Sequence, residues 1–386
     1  MPRLSEFTSI WNTIKEVDLR PLRSEAQRGV KIALVGRQGS GKRLLASQMR
    51  RDPQREVNET MTPLLVIDLE SGEQSLHQVL YADLIILLIP ANLVDSQRER
   101  LLIKTWVDSS KKVLVFLNTA SPIASENQVL EVSNQQSVIS LEGWGLRRVI
   151  FGNVDDSSYL TEKFVPEVID LLPDQLLALG RNFPLFRVPI CRLLINETCF
   201  SNATYAFSTG LAEIIPVLDI PLNVADTFVL TKTQAFLVYK LGLVLGLSTR
   251  WQDYVREFGG VLGSGFFWRQ IARQLVGLIP AWGIVPKVAV SYAGTYVVGH
   301  VVLQWYLTGR YITGKQIRQL YSQAFEQGKN LARTFIQRLP KPVRHRENRQ
   351  LLPSKKKKQA CPACGKINAP FALFCQYCGN SLSSSE

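Results

Sequence analysis

The sequence predicts an α/β domain with a mostly parallel sheet, then an all-α domain rich in glycine, then a very short cysteine-paired tail. Three observations carry this order. Up to about residue 178, brief runs of β-branched and apolar residues alternate with stretches of helical period. Beyond residue 187 the strand-like runs stop, and long segments rich in Gly and Ala, broken at prolines, take their place. In residues 361–386, four of the chain's six cysteines stand in two Cys-x-x-Cys pairs.

Length and composition agree with this division. A chain of 386 residues, 46% hydrophobic and 20% charged, holds two or three domains with cores of their own and is not globally disordered. The formal charge of +13 is unevenly spread. Residues 338–358 hold nine Lys or Arg against one Glu, a stretch that reads either as a solvated linker or as an attachment to an anionic surface, lipid or nucleic acid. The opening residues, MPRLSEFTSIW, contain no apolar run, so no signal peptide is expected. Cys191 and Cys199 fall outside the pairs and read as buried thiols, in keeping with a reducing compartment, the cytoplasm or the inner face of the cell membrane.

In chain order, residues 1–28 hold Phe7, Ile10, Trp11, Ile14 and Val17 at three- and four-residue steps, one apolar face of a short helix. The α/β domain, residues 29–178, has strand-like runs at VKIALVG (30–36), PLLVIDL (63–69), ADLIILLIPA (82–91), KKVLVFLN (111–118) and LRRVIFGN (146–153). Helical periods follow the first run at 42–51 and recur at 95–110 and 159–180. Strands apolar on both faces, separated by helices, require a parallel sheet with right-handed crossovers. The helical domain, 179–337, has segments at 227–248, 267–279 and 288–307. The last carries no charge over a length that would cross a bilayer, yet it is diluted by Ser291, Tyr292, Thr295, Tyr296, His300 and Gln304. Both a buried helix and a membrane-inserted one fit. Ser291, Thr295 and Gly299, four residues apart, form a face that admits close approach of another helix.

Chemistry is concentrated in two places. The first is VGRQGSGKRLL, residues 35–45, which fits G-x-x-x-x-G-K-[ST] at Gly36, Gly41 and Lys42 but ends in Arg43. A strand, a glycine-rich turn (Gly36, Gly39, Ser40, Gly41) and a helix are the context in which backbone N–H groups converge on phosphates and Lys42 reaches them. The hydroxyl normally found at position 43 holds Mg²⁺. A guanidinium coordinates no metal. Arg43 either replaces part of the ion's charge or turns away on the helix surface; in both cases magnesium dependence is doubtful.

With this loop, the strand order and a helical partner in place, the chain resembles the Era-like GTPases fused to a YcjF-type helical domain. In the second half the resemblance runs through SNATYAFSTGLAEIIPVLDIPL, ADTFVLTKTQAFLVYKLGLVLG and IPAWGIVPKVAVSYAGTYVVGH. It implies a P-loop NTPase fold and a GTP site, with departures. The D-x-x-G element falls on DLESG, with Asp68 in place, Ser71 at the glycine position and Gly72 one residue late. Thr60 or Thr62 would be the switch threonine. The guanine-reading N-K-x-D falls on NTAS, keeping Asn118 and replacing the carboxylate by Ser121. Glu73 and Gln74 are the nearest residues to a water-orienting position. The resemblance therefore implies a degenerate GTPase: a nucleotide-binding scaffold or slow switch, with GTP or another nucleotide as ligand. An active GTP hydrolase and a nucleotide-free membrane or protein adaptor are the alternatives.

The second place is CPACGKINAPFALFCQYCGN. Cys361 and Cys364, then Cys375 and Cys378, form two knuckles whose glycines, Gly365 and Gly379, permit tight turns. Four thiolates close a tetrahedral site suited to Zn²⁺, with no position open for a catalytic water, so its role is structural. The unit, residues 361–380, is similar to the zinc ribbons appended to many bacterial proteins, tethered by residues 338–360. Its expected partner is a protein, ahead of a membrane or nucleic acid. His77, His300 and His345 share no spacing with other ligands.

Overall fold

The computed structural model describes residues 19–51, 64–91, 96–119, 148–213, 222–250, 252–253, 284–310, 312–338 and 359–368, with 375, 377, 378, 380 and 382. These belong to two compact units. One comprises residues 19–192 and 242–249; the other comprises 193–241 and the chain from 250 onward.

The first unit is built on a five-stranded, all-parallel sheet of β1 (Ile32–Gly36), β2 (Leu64–Asp68), β3 (Leu84–Pro90), β4 (Val113–Asn118) and β5 (Val149–Gly152). Each apolar run read from the sequence holds one strand. Their order is β2-β1-β3-β4-β5. The three inner strands are β-branched and apolar on both faces because both faces are covered, and β1 is buried along its whole length. On one face Val35, Ile85, Leu87 and Val115 pack with Ile103 and Trp106 of α4 (Gln97–Asp108). Elsewhere in the unit Phe116, Phe164, Phe186 and Phe183 form a chain of ring contacts with centroids 5.9–6.3 Å apart.

Around the sheet lie α1 (Arg20–Gln27), α2 (Lys42–Arg50), α3 (Glu73–Val79) and α4. The single helix expected over 159–180 is divided. It comprises α5 (Ser157–Tyr159), a π-helical turn at Leu160–Phe164, α6 (Val165–Leu171), a 3₁₀ turn at Pro173–Gln175 and α7 (Leu176–Asn182). Pro173 donates no backbone hydrogen bond, so the chain cannot continue as one helix through Leu172. The amphipathic segment at Phe7–Val17 lies outside the described residues.

The second unit is helical. α8 (Arg187–Glu213), α9 (Leu222–Val244), α10 (Ile284–Thr308) and α11 (Gly314–Arg338) supply its described helices. α10 and α11 form an antiparallel hairpin in which Ala293, Val297 and Val301 meet Ile317, Tyr321 and Ala324. Gly299 lies where a Cβ would stand 2.7 Å from Ile195 of α8, so the small-residue face of α10 admits that helix closely. At the same junction Asn202 donates to Thr295 Oγ1 (2.8 Å) and accepts from Thr233 Oγ1 (2.8 Å), while Ser291 Oγ donates to Asn202 O (3.0 Å). Buried polar groups must be bonded, and these are bonded to one another across α8, α9 and α10. Of the diluting polar residues of 288–307, Ser291 and Thr295 are therefore interhelical contacts, whereas Gln304 is exposed and, among the described residues, bonds only within its own helix. Among the described residues no helix is long and apolar enough to cross a membrane. The expected helix at 267–279 lies outside the described residues.

A third, very small element is the two-stranded antiparallel sheet of β6 (Gln359–Ala360) and β7 (Ile367–Asn368) in the cysteine tail.

Candidate functional site

The order β2-β1-β3 means that the chain leaves β1 toward one edge and returns past it to β3. In open parallel sheets, ligands bind beyond the carboxyl ends of the strands at such a reversal. The register brings the strand ends level: Gly36 stands beside Asp68 on one side and Leu88 on the other, and Asn118 stands beside Pro90 and Gly152. The glycine loop therefore occupies the reversal point.

Two glycines shape the loop for steric reasons. A Cβ at Gly36 would collide with the Leu88 carbonyl and stand 2.6 Å from Ser40 Oγ. Gly41 has φ +96°, a region costly for other residues, and a Cβ there would lie 2.7 Å from Asn118 Nδ2. α2 then begins at Lys42, and its first N–H groups open toward the loop. Ser40 Oγ is buried inside the loop and has no hydrogen-bond partner among the described residues.

Lys42 lies at the centre. Its side chain is 5% exposed, and Nζ donates to Arg37 O at 2.6 Å and to Asp68 Oδ1 at 2.7 Å. Asn118 ties the loop to the last strand: Nδ2 donates to Ser40 O (3.1 Å) and Oδ1 accepts from Val154 N (3.2 Å). Gly36, Gly39, Ser40, Gly41, Lys42, Asp68 and Asn118 thus lie together at the strand ends. Asn118, however, is already bonded at both ends of its amide to the protein backbone. Arg43 is exposed on α2 and makes no hydrogen bond or ion pair among the described residues, the second of its two anticipated placements.

Other predicted residues contribute differently. Ser71 N closes a turn on Asp68 O (3.0 Å), Gly72 precedes α3, and Glu73 and Gln74 open that helix. Thr60, Thr62 and Ser121 lie outside the described residues. One residue escapes the sequence reading. Glu99 of α4 is 1% exposed and grips Arg37 in bidentate fashion, Nε to Oε1 at 2.6 Å and Nη2 to Oε2 at 3.0 Å. No local pattern distinguishes Glu99 from the solvated charges beside it; its only signal would be a carboxylate on the inward face of the helix, in step with Ile103 and Trp106.

The second cluster is the cysteine tail. The ligand atoms of Cys361, Cys364, Cys375 and Cys378 all lie within 4.8 Å of one another. Cys361 Sγ is 3.6 Å from Cys378 Sγ, and Cys364 Sγ is 3.5 Å from Cys375 Sγ. A disulfide needs about 2.05 Å, so the thiols are free. Tetrahedral zinc with Zn–S of about 2.3 Å separates its sulfurs by roughly 3.8 Å, so the cluster fits such a metal. Local bonds shape each knuckle: Gly365 N to Cys361 O (2.8 Å), Cys361 N to Lys366 O (2.9 Å) and Cys375 N to Asn380 O (2.7 Å). Burial pushes the Cys375 thiol up, but the N–H groups of Tyr377 and Cys378, the Asn368 amide and the Cys364 thiol together bring it down to about 6. The remaining thiols, Cys191 and Cys199, are buried in the helices; burial drives Cys191 far up and pushes Cys199 to about 12. Among the described residues no histidine joins the cysteine cluster; His300 stacks on Tyr296 at 4.0 Å between centroids, and its Nδ1 lies 3.0 Å from Tyr296 O.

The chain matches no protein-family model and no curated protein.

Proposed function

We propose that this protein is a nucleotide-binding scaffold or slow switch built on a degenerate Era-like P-loop domain, with a YcjF-type helical domain and a structural zinc ribbon. The observation that carries this reading is the glycine loop at the strand-order reversal, with the buried Lys42 ammonium beneath it and the N-terminus of α2 behind it. The orphaned Ser40 hydroxyl and the closely packed glycines suit a phosphate lying against the backbone. The ligand is GTP or another nucleotide, bound chiefly through its phosphates.

Turnover is slow in this reading because the groups that speed phosphoryl transfer are missing from their expected places. Arg43 replaces the metal-binding hydroxyl and Ser71 replaces the γ-phosphate-reading glycine; base reading is weakened separately, because Asn118 is committed to Ser40 and Val154. Zn²⁺ at Cys361, Cys364, Cys375 and Cys378 gives the tail its fold and offers no open coordination position. The tail then serves as a protein-docking element, with Ile367 and Tyr377 exposed upon it. The protein works in the cytoplasm or at the inner face of the membrane.

The test is a titration of the full chain with fluorescent GTP and ATP analogues, beside Lys42→Ala. Saturable binding that weakens roughly 10- to 100-fold in the variant is expected from the loss of a charge-assisted contact. Absence of binding to the native chain at micromolar nucleotide would remove the reading.

A further inference from the structure

We propose that Asp68 is a built-in competitor for the phosphate, and that the site accepts a phosphate group without a divalent metal. This rests on the phosphate-binding reading of the loop. Lys42 has three N–H donors. One goes to Arg37 O and one to Asp68 Oδ1, both at or below 2.7 Å. The lysine side chain is 5% exposed and enclosed, whereas the Asp68 side chain is 44% exposed at the rim. Of the two partners, the carboxylate is the one with room to leave.

A phosphate entering above the loop thus meets an ammonium whose charge a carboxylate already neutralises. The same carboxylate repels the incoming anion. Binding exchanges one anion for another at Lys42, which sets the affinity low and links it to the position of the β2–α3 turn through the bond from Ser71 N to Asp68 O.

A metal ligand is the other use for a carboxylate at this place. Two features oppose that role. Asp68 is in direct contact with Lys42, so a cation bound to the carboxylate would have to approach the ammonium. The residue after the lysine is Arg43, whose guanidinium repels a divalent cation and offers it no oxygen. Lys42 supplies the positive charge that a metal would otherwise bring.

The experiment is calorimetric titration of the full chain and of Asp68→Asn with inorganic pyrophosphate, GTP and ATP, each in EDTA and again in excess Mg²⁺. The expected result is pyrophosphate affinity about ten-fold higher in Asp68→Asn than in the native chain, with Mg²⁺ changing neither by more than about two-fold. Disruption of the fold does not tighten binding, so a gain in affinity is diagnostic. Asp68→Asn also leaves a buried ammonium without its counter-charge. Its melting temperature should therefore fall, and pyrophosphate should raise it by more than it raises that of the native chain. Asp68→Glu, which keeps the charge, should bind as weakly as the native chain. Native binding that requires Mg²⁺ and is lost in Asp68→Asn would overturn the proposal and make Asp68 a metal ligand. Unchanged affinity in Asp68→Asn would also overturn it while leaving the phosphate site standing. No binding to any variant would remove the phosphate site itself. A response to GTP and ATP but not to pyrophosphate would place the recognition on the nucleoside and overturn the exchange at Lys42.

Discussion

The four cysteines of the tail and the glycine loop at residues 36–42 are both clusters announced by a short spacing, and they differ in what completes them. The cysteines lie on one segment, held by bonds inside each knuckle, such as Gly365 N to Cys361 O. Every ligand that a tetrahedral metal would require is present. The glycine loop has its backbone shape but depends on distant groups: Asp68 at the end of β2, Glu99 on α4, Asn118 at the end of β4 and Val154 after β5. A site complete within twenty-odd residues must keep all its ligands or lose its fold. A site assembled from strand ends can lose one chemical function, such as the hydroxyl at position 43, while its scaffold persists. That contrast accounts for a complete cysteine cluster beside the proposed degenerate phosphate site in one chain.

The largest expected effect breaks the local side of the comparison. Stripping metal with a strong chelator, or changing Cys364→Ser, should unfold the tail, because binding energies of about 10 kcal/mol or more are the folding energies of such units. Amide exchange of residues 359–368 should rise to unfolded rates while the sheet domain stays protected. Alkylation sharpens the same test. With metal bound all six thiols should resist iodoacetamide; after chelation only Cys361, Cys364, Cys375 and Cys378 should react. Cys191 and Cys199 are buried and held as neutral thiols, so they stay inert until the helices unfold.

A smaller effect falls on the assembled site. Glu99→Ala removes a buried carboxylate and leaves Arg37 without its bidentate partner in the loop. It should cost about 2–4 kcal/mol in chemical denaturation and weaken nucleotide binding, with no effect on metal content. Loss of metal in this variant would mean that the two sites are not independent. The smallest effect belongs to Arg43→Ser. Arg43 is exposed and makes no bond among the described residues, so stability should change by no more than about 0.5 kcal/mol. The restored hydroxyl should make nucleotide affinity respond to Mg²⁺. A response unchanged from the native chain would show that the hydroxyl is not the missing element.

Much of the sheet was legible because its signal is local. Each of the five apolar runs holds one strand, and the burial of the three inner ones on both faces follows from covering helices. The helix at 95–110 appears as Gln97–Asp108 for the same reason: its apolar residues recur at helical steps. The run at 159–180 was less legible. Its apolar periodicity is continuous across Pro173, with Leu160, Phe164, Val168 and Leu172 all buried, and that pattern masks the break that the missing Pro173 N–H imposes. In the helical unit the polar residues of 288–307 were ambiguous as a pattern, since Ser291 and Thr295 suit either a membrane helix or a packed one. Their bonds with Asn202, far away in the chain, show which helix they face.

By itself, the sequence determined the elements: which runs are strands, where the glycine loop begins and that four cysteines share one centre. Those properties come from neighbours a few residues apart, whose spacing is written directly in the chain. Only the tertiary structure decided that Asp68 would neutralise Lys42, that Glu99 would grip Arg37 and that Asn118 would spend its amide on Ser40 and Val154. It also decided that residues 242–249 return to the α/β unit, where Leu243 O and Leu247 O accept from Arg181. Hydrogen bonds and ion pairs act over a few ångströms of space regardless of separation along the chain, so their partners emerge only once the sheet has brought the strand ends together.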